Sequence, residues 1–174
     1  DTIQVILLFT AMWYFLNACT NFWLRLPVQL VYTAIQGTVF TGLWVLAHEC
    51  GHGAFSPYQS VNDVVGFIYH TMLFVPYYAW QFTHASHHHY TNNMEKDEVW
   101  VPSRELIVKQ GSSEVAKKNS HFHAIYTIFV MFTAGWPAYI LANATGHTTK
   151  DLANHFNPDS SIFENMNKKD RNWK

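Results

Sequence analysis

Charge is scarce in this chain. Asp, Glu, Lys and Arg make up 13% of its 174 residues, roughly half of the about 25% found in ordinary soluble domains. The scarcity is concentrated. No charged residue lies between Thr2 and Leu24, and none between Leu26 and His48. An excess of either sign is also missing: the formal net charge of −1 excludes an electrostatic grip on nucleic acid or on an anionic lipid surface. Cysteine is limited to Cys19 and Cys50, too few and too ill-spaced for a disulfide framework, so both are read as buried thiols. Internal repeats, low-complexity tracts and linkers are absent. No targeting signal precedes Asp1, and the chain stops at Lys174 within a polar run; both ends are expected to be cut from a longer protein.

What fills the charge-free stretches is apolar. A membrane-crossing helix needs about 20 mostly apolar residues, because its backbone rises about 1.5 Å per residue through about 30 Å of hydrocarbon. Residues 3–20, 29–47 and 122–142 meet that requirement. A fourth stretch, 64–82, is interrupted by Gly66, His70 and Pro76 and is read as a re-entrant or interfacial helix. Polar segments at 91–120 and 146–174 dilute the mean hydropathy to −0.07. The expected architecture is all-α: an integral membrane helical bundle with about three transmembrane helices, the whole of 1–174 forming part of one domain. A connection from Asn21 to Val28, holding Arg25 and Pro27, should join the first two spans into an antiparallel hairpin. Lys96, Arg104, Lys109, Lys117 and Lys118 follow the second histidine cluster, against a single basic residue in the first connection. That asymmetry puts the histidines on the cytosolic side, although the tail from Lys150 onward is basic as well.

The 11 histidines are clustered. His48 and His52 form H-E-C-G-H; His84, His87, His88 and His89 form H-A-S-H-H-H. Helical positions i and i+4 are offset by about 40°, and i and i+3 by about 60°, so His48/His52 share one face, as do His84/His87/His88. Five imidazoles at two matched spacings beside apolar helices point to a metal site, and imidazole suits iron, zinc, copper and nickel. The first cluster also reads as H-E-x-x-H, the zinc-protease pattern with Glu49 as general base. A zinc site needs one further protein ligand, which leaves the second cluster unexplained, and Gly51 and Gly53 weaken a helix at His52.

Other residues carry weaker signals. His89 is a candidate extra ligand or a donor to one, with a plain surface role preferred. Asp97 and Glu98 could orient imidazoles but read as a solvated charged run. Tyr77, Tyr78, Trp80 and Trp100 read as interfacial aromatics. His121, His123, His147 and His155 stand isolated. Asn143-Ala144-Thr145 is a glycosylation sequon abutting the third span and is expected to go unused.

The segments W-V-L-A-H-E-C-G-H-G-A-F-S and V-P-Y-Y-A-W-Q-F-T-H-A-S-H-H-H-Y-T-N-N-M-E-K-D-E-V-W-V-P resemble the membrane acyl-lipid desaturases, closest to the endoplasmic-reticulum oleate (delta-12) type and its omega-3 relatives. The spacing between His52 and His84, and the later G-W-P-A-Y-I-L-A-N-A-T-G-H and H-F-N-P-D-S-S-I-F, fit the same family. The resemblance implies iron ligands at His48 and His52 in the first box and at His84, His87 and His88 in the second. The family's third box, H-x-x-H-H, has no counterpart here, which suggests truncation. The resemblance further implies a di-iron centre at the cytosolic face that uses O2 to place a cis double bond in a long fatty acyl lipid. Electrons would come from cytochrome b5 in the endoplasmic reticulum membrane. The alternatives are a membrane zinc metalloprotease, a related fatty acyl hydroxylase or acetylenase, and a non-enzymatic membrane protein, which would need none of these histidines.

Overall fold

The computed structural model describes residues 1–97, 99–101, 121–146 and 153–164. Among them the regular structure is helical throughout, and no strand occurs. The chain divides into two units, Asp1–Tyr77 and Tyr78–Lys174.

In the first unit, α1 (Thr2–Ala18) and α2 (Phe22–Gly51) are antiparallel neighbours: the side chain of Asp1 lies beside Gly42, far along α2. The link between them is shorter than the Asn21–Val28 connection expected from sequence, because α2 already begins at Phe22. The Asn21 side chain accepts a hydrogen bond from the Trp23 amide at 2.9 Å and caps the helix, satisfying an otherwise orphaned donor. Pro27 sits inside α2, past its first turn, so the ladder lacks the amide that would meet the Trp23 carbonyl, and the helix continues beyond it. Arg25 turns back and donates to the Leu16 and Cys19 carbonyls, so a cation meets the negative end of α1.

Helix α2 ends where Gly53 takes a left-handed φ of 70°, a conformation glycine adopts without strain. The chain then returns along α3 (Gln59–Met72), which packs on α2. The Thr2 and Tyr69 hydroxyls meet at 2.9 Å, tying α1 to α3. The apolar stretch 64–82 is therefore two short helices, broken between Met72 and Tyr77 where Phe74 has φ 58°. Tyr77 was expected at an interface. It is instead buried, its ring against His70, and Gly66 makes the room for it.

The second unit holds α4 (Tyr77–Tyr90, of which Tyr78 onward belongs here) and α5, which runs from His121 to Ala142. Within α5 the turn Met131–Gly135 is π-helical. Pro137 follows it; with no amide hydrogen to donate and a ring that crowds the carbonyl one turn back, it widens the helix there. Asn143, left-handed at φ 47°, ends α5. Its side chain is buried, so the sequon is closed in the folded chain. Residues 153–164 lie on α4, with Ala153, Ile162 and Phe163 forming a small core with Ala79 and Phe82.

Two helices, Phe22–Gly51 and His121–Ala142, are long and apolar enough to cross a membrane; α1, at 17 residues, is apolar but shorter. Their large side chains face outward, with Phe122 and Phe132 87% and 88% exposed. A soluble protein would bury such residues.

A Cβ added at Gly66 would overlap the Tyr77 phenol, lying 2.7 Å from its Oη, whereas one at Gly37 meets nothing within 4 Å. Gly66→Ala is expected to lower the melting temperature of the detergent-purified protein, overpacking costing about 1–3 kcal/mol. Gly37→Ala should leave it unchanged or raise it, since alanine favours a helix by about 1 kcal/mol.

Candidate metal centre

Each histidine cluster lies in the C-terminal turns of a helix. In the first unit, His48 and the C-capping His52 close α2, with their Nε2 atoms 3.1 Å apart. In the second unit, His84 and His88 close α4 in the same way, their Nε2 atoms also 3.1 Å apart. Two nitrogens bound to one metal at about 2.0–2.1 Å and separated by roughly 95–100° would be this far apart. Each pair thus has the geometry of neighbouring ligands, and its place at a helix C-terminus favours a cation.

A tryptophan one turn earlier holds each pair. The Trp44 ring lies 5.3 Å from that of His48, and Trp80 stacks on His84 at 4.5 Å and 16°. The same W-x-x-x-H-x-x-x-H spacing therefore recurs at 44/48/52 and at 80/84/88, a signal legible in the sequence that the His spacing alone conceals. Trp80, expected at an interface, is buried in this role; Trp100 and Tyr78 are exposed.

His87 is held differently. Its Nδ1 lies 2.8 and 2.9 Å from the two oxygens of Asp97, and Asp97 Oδ1 also accepts from the Val99 and Trp100 amides at 3.0 and 3.2 Å. Asp97 is only 1% exposed, which overturns the reading of a solvated charged run. Burial opposes the charge on this carboxyl, but the Val99, His87 and Trp100 hydrogen bonds outweigh it and hold its pKa below the ordinary value. Glu98 and His147 lie outside the described residues. His89 is exposed, with its ring against Tyr90 and apart from the His84–His88 pair.

Two buried histidines have roles that isolated spacing could not reveal. His70 lies between Trp44 and Tyr77, ring centroids 5.8 and 5.6 Å away, and burial lowers its pKa to about 4. His155 belongs to a polar knot beneath the second cluster. Its Nδ1 reaches the Ile140 carbonyl at 3.3 Å and its Nε2 the Thr83 hydroxyl at 3.3 Å. A carbonyl only accepts, so Nδ1 carries the proton and Nε2 is left as an acceptor beside the Thr83 hydroxyl, whose one hydrogen is also within reach of the Trp80 and Ala79 carbonyls at 3.1 and 3.3 Å. The Tyr139 hydroxyl, 3.3 Å from Thr83 Oγ1, completes the chain. Thr83 immediately precedes His84, so this knot pins the helix that carries the second histidine cluster.

The donor set is imidazole beside aromatic side chains, which fits a transition metal and suits iron among others. The sequence profile of the fatty acid desaturase family matches residues 21–158. The chain belongs to the fatty acid desaturase family. It is 40% identical over 155 residues to the Delta(12)-fatty-acid desaturase of Arabidopsis thaliana, covering 86% of this chain and 40% of that protein. Against the omega-6 fatty acid desaturase, endoplasmic reticulum isozyme 2, of Glycine max it is 41% identical over 133 residues, 76% of this chain and 34% of that protein. The Delta(12) fatty acid dehydrogenase of Crepis alpina gives 41% over 145 residues, 80% of this chain and 38% of that protein. The chain thus spans about two fifths or less of the length of these relatives. No solved structure matches it. Nothing in these likenesses supports the zinc protease reading of H-E-C-G-H.

Burial lowers the pKa of His155 from 6.5 to about 4, against the opposing pull of its hydrogen bonds to the Ile140 and Tyr139 backbone. The unfolded chain therefore binds a proton near pH 6.5 that the folded chain refuses until about pH 4. Its contribution is complete above pH 6.5 and is lost as pH falls toward 4, up to about 3 kcal/mol. In denaturation series between these limits, His155→Gln should flatten the rise of stability with pH.

Proposed function

We propose that this chain is part of a membrane acyl-lipid desaturase that converts oleate-type chains to linoleate-type ones, and that His48, His52, His84, His87 and His88 are ligands of its di-iron centre. The observation that carries the reading is the repeated pair of Nε2 atoms 3.1 Å apart at the ends of α2 and α4, within a chain of this family. Iron so held supplies the power to activate O2 and remove two hydrogens from adjacent methylenes.

The protein's own contribution is placement. Trp44 and Trp80 keep the imidazoles in register, Asn21 and Gly53 set the limits of the first ligand helix, and the Thr83–His155 knot fixes the second. The outward apolar faces of α1, α2 and α5 support three membrane-crossing segments, with α1 reaching the needed length through its apolar flank at Cys19. The names of the soybean and Brassica juncea relatives include the endoplasmic reticulum, which supports that membrane as the location. An acyl lipid and O2 are the substrates on this reading, cytochrome b5 the electron donor, and further ligands come from beyond residues 1–174.

The intact protein should hold two irons per chain by elemental analysis; one zinc and no iron would contradict the assignment. Replacing any of the five histidines by Ala should abolish diene formation in cells fed a monounsaturated fatty acid, whereas Glu49→Gln should reduce it only mildly. Residues 1–174 expressed alone should enter membranes yet give no diene above empty-vector cells by gas chromatography, because five imidazoles cannot fill two iron coordination spheres.

A further inference from the structure

Four of the five box histidines meet a box partner through Nε2: His48 with His52, and His84 with His88. His87 has its Nδ1 engaged by a carboxylate, with both oxygens of Asp97 within 2.9 Å. The ring is 24% exposed while the carboxylate is 1% exposed. This is not the loose ion pair of a surface, where two long side chains meet in water for little gain.

The path of the chain explains how a residue ten positions away reaches that nitrogen. After α4 ends at Tyr90, Asn92 adopts a left-handed φ of 66°. The Asp97 amide then donates to the Asn93 carbonyl at 3.0 Å, and the chain folds back along α4. Lys96 sits over the Tyr90 ring at 5.2 Å. The Val99 and Trp100 amides donate to Oδ1, so one carboxylate is fixed by the backbone on one side and faces His87 on the other.

We propose that Asp97 is a positioning residue for the metal centre: its carboxylate holds the proton of His87 on Nδ1 and so presents Nε2 to the metal. An ionised carboxylate only accepts, which fixes the tautomer, and the charge it shares with the ring makes Nε2 a stronger donor. A simpler role, closing the 97–100 turn, uses the same oxygen but needs no charge. Asparagine separates the two. Its Oδ1 can still accept from the Val99 and Trp100 amides, yet its amide group can donate to Nδ1, which would move the ring proton to Nε2 and remove the ligand lone pair.

This inference rests on the di-iron reading above. The test uses the intact iron-loaded protein and titrates a ferrous chelator against wild type, Asp97→Asn, His87→Ala and the double variant. The melting temperature of each metal-free form is measured alongside. Asp97→Asn should lower iron affinity by about 10–100-fold while leaving the metal-free melting temperature near that of wild type. In the His87→Ala background it should add nothing. Iron affinity within twofold of wild type would overturn the proposal. So would a loss of affinity that merely follows a loss of metal-free stability, or a further tenfold loss in the His87→Ala background. A wild-type protein that holds no iron would overturn the di-iron reading itself and this inference with it.

Discussion

Two imidazole nitrogens 3.1 Å apart cannot both carry a proton toward each other. They can share one hydrogen or one cation, and the end of a helix makes the cation the better guest, because the unpaired carbonyls there present partial negative charge. This constraint is imposed twice, by His48/His52 and by His84/His88, and much of the surrounding structure serves to maintain it. Trp44 and Trp80 occupy the preceding turn and restrict the rings. Gly53 stops the first helix just beyond its second histidine. The buried Thr83–His155–Tyr139 chain anchors the second helix immediately before its first histidine.

Apolar surface is arranged in the opposite sense from a soluble fold. Few side chains are buried within α2, among them Gln36, Leu43, Ala47 and Cys50, while Trp23, Leu30 and Val31 face outward. Polar groups are instead collected around the histidines. Asp97, Thr83 and His155 are all buried and hydrogen-bonded, and such groups are stable in an apolar surrounding only when their hydrogen-bonding capacity is met. On the proposed function this division is what a metal site beside lipid needs: apolar faces for the bilayer and polar groups held around each histidine pair.

Helix-forming stretches and the spacing of the box histidines were legible in the sequence because both depend on local periodicity. His48/His52 and His84/His88 lie one helical turn apart whatever the rest of the chain does. Long-range partners were not legible. Asp97 looked solvated among Lys96 and Glu98, and only the left-handed turn at Asn92 carries it back to His87. His155 looked isolated because its partners Thr83 and Tyr139 are far away in sequence. Tyr77 and Trp80 looked interfacial because aromatic content alone does not distinguish a membrane surface from a tight contact with Gly66 or His84. The start of α2 lies within the Asn21–Val28 connection expected from the sequence, because the Asn21 cap lets the helix begin before Arg25 and Pro27.

On the proposed reading, imidazole nitrogens and no sulfur hold the metal. X-ray absorption at the iron edge of the intact protein tests it most directly. The account predicts nitrogen or oxygen neighbours at about 2.0–2.2 Å with the outer-shell pattern of several imidazoles. A sulfur neighbour near 2.3 Å, which would bring in a thiolate such as Cys50, or an iron shell without imidazole scattering, would contradict it.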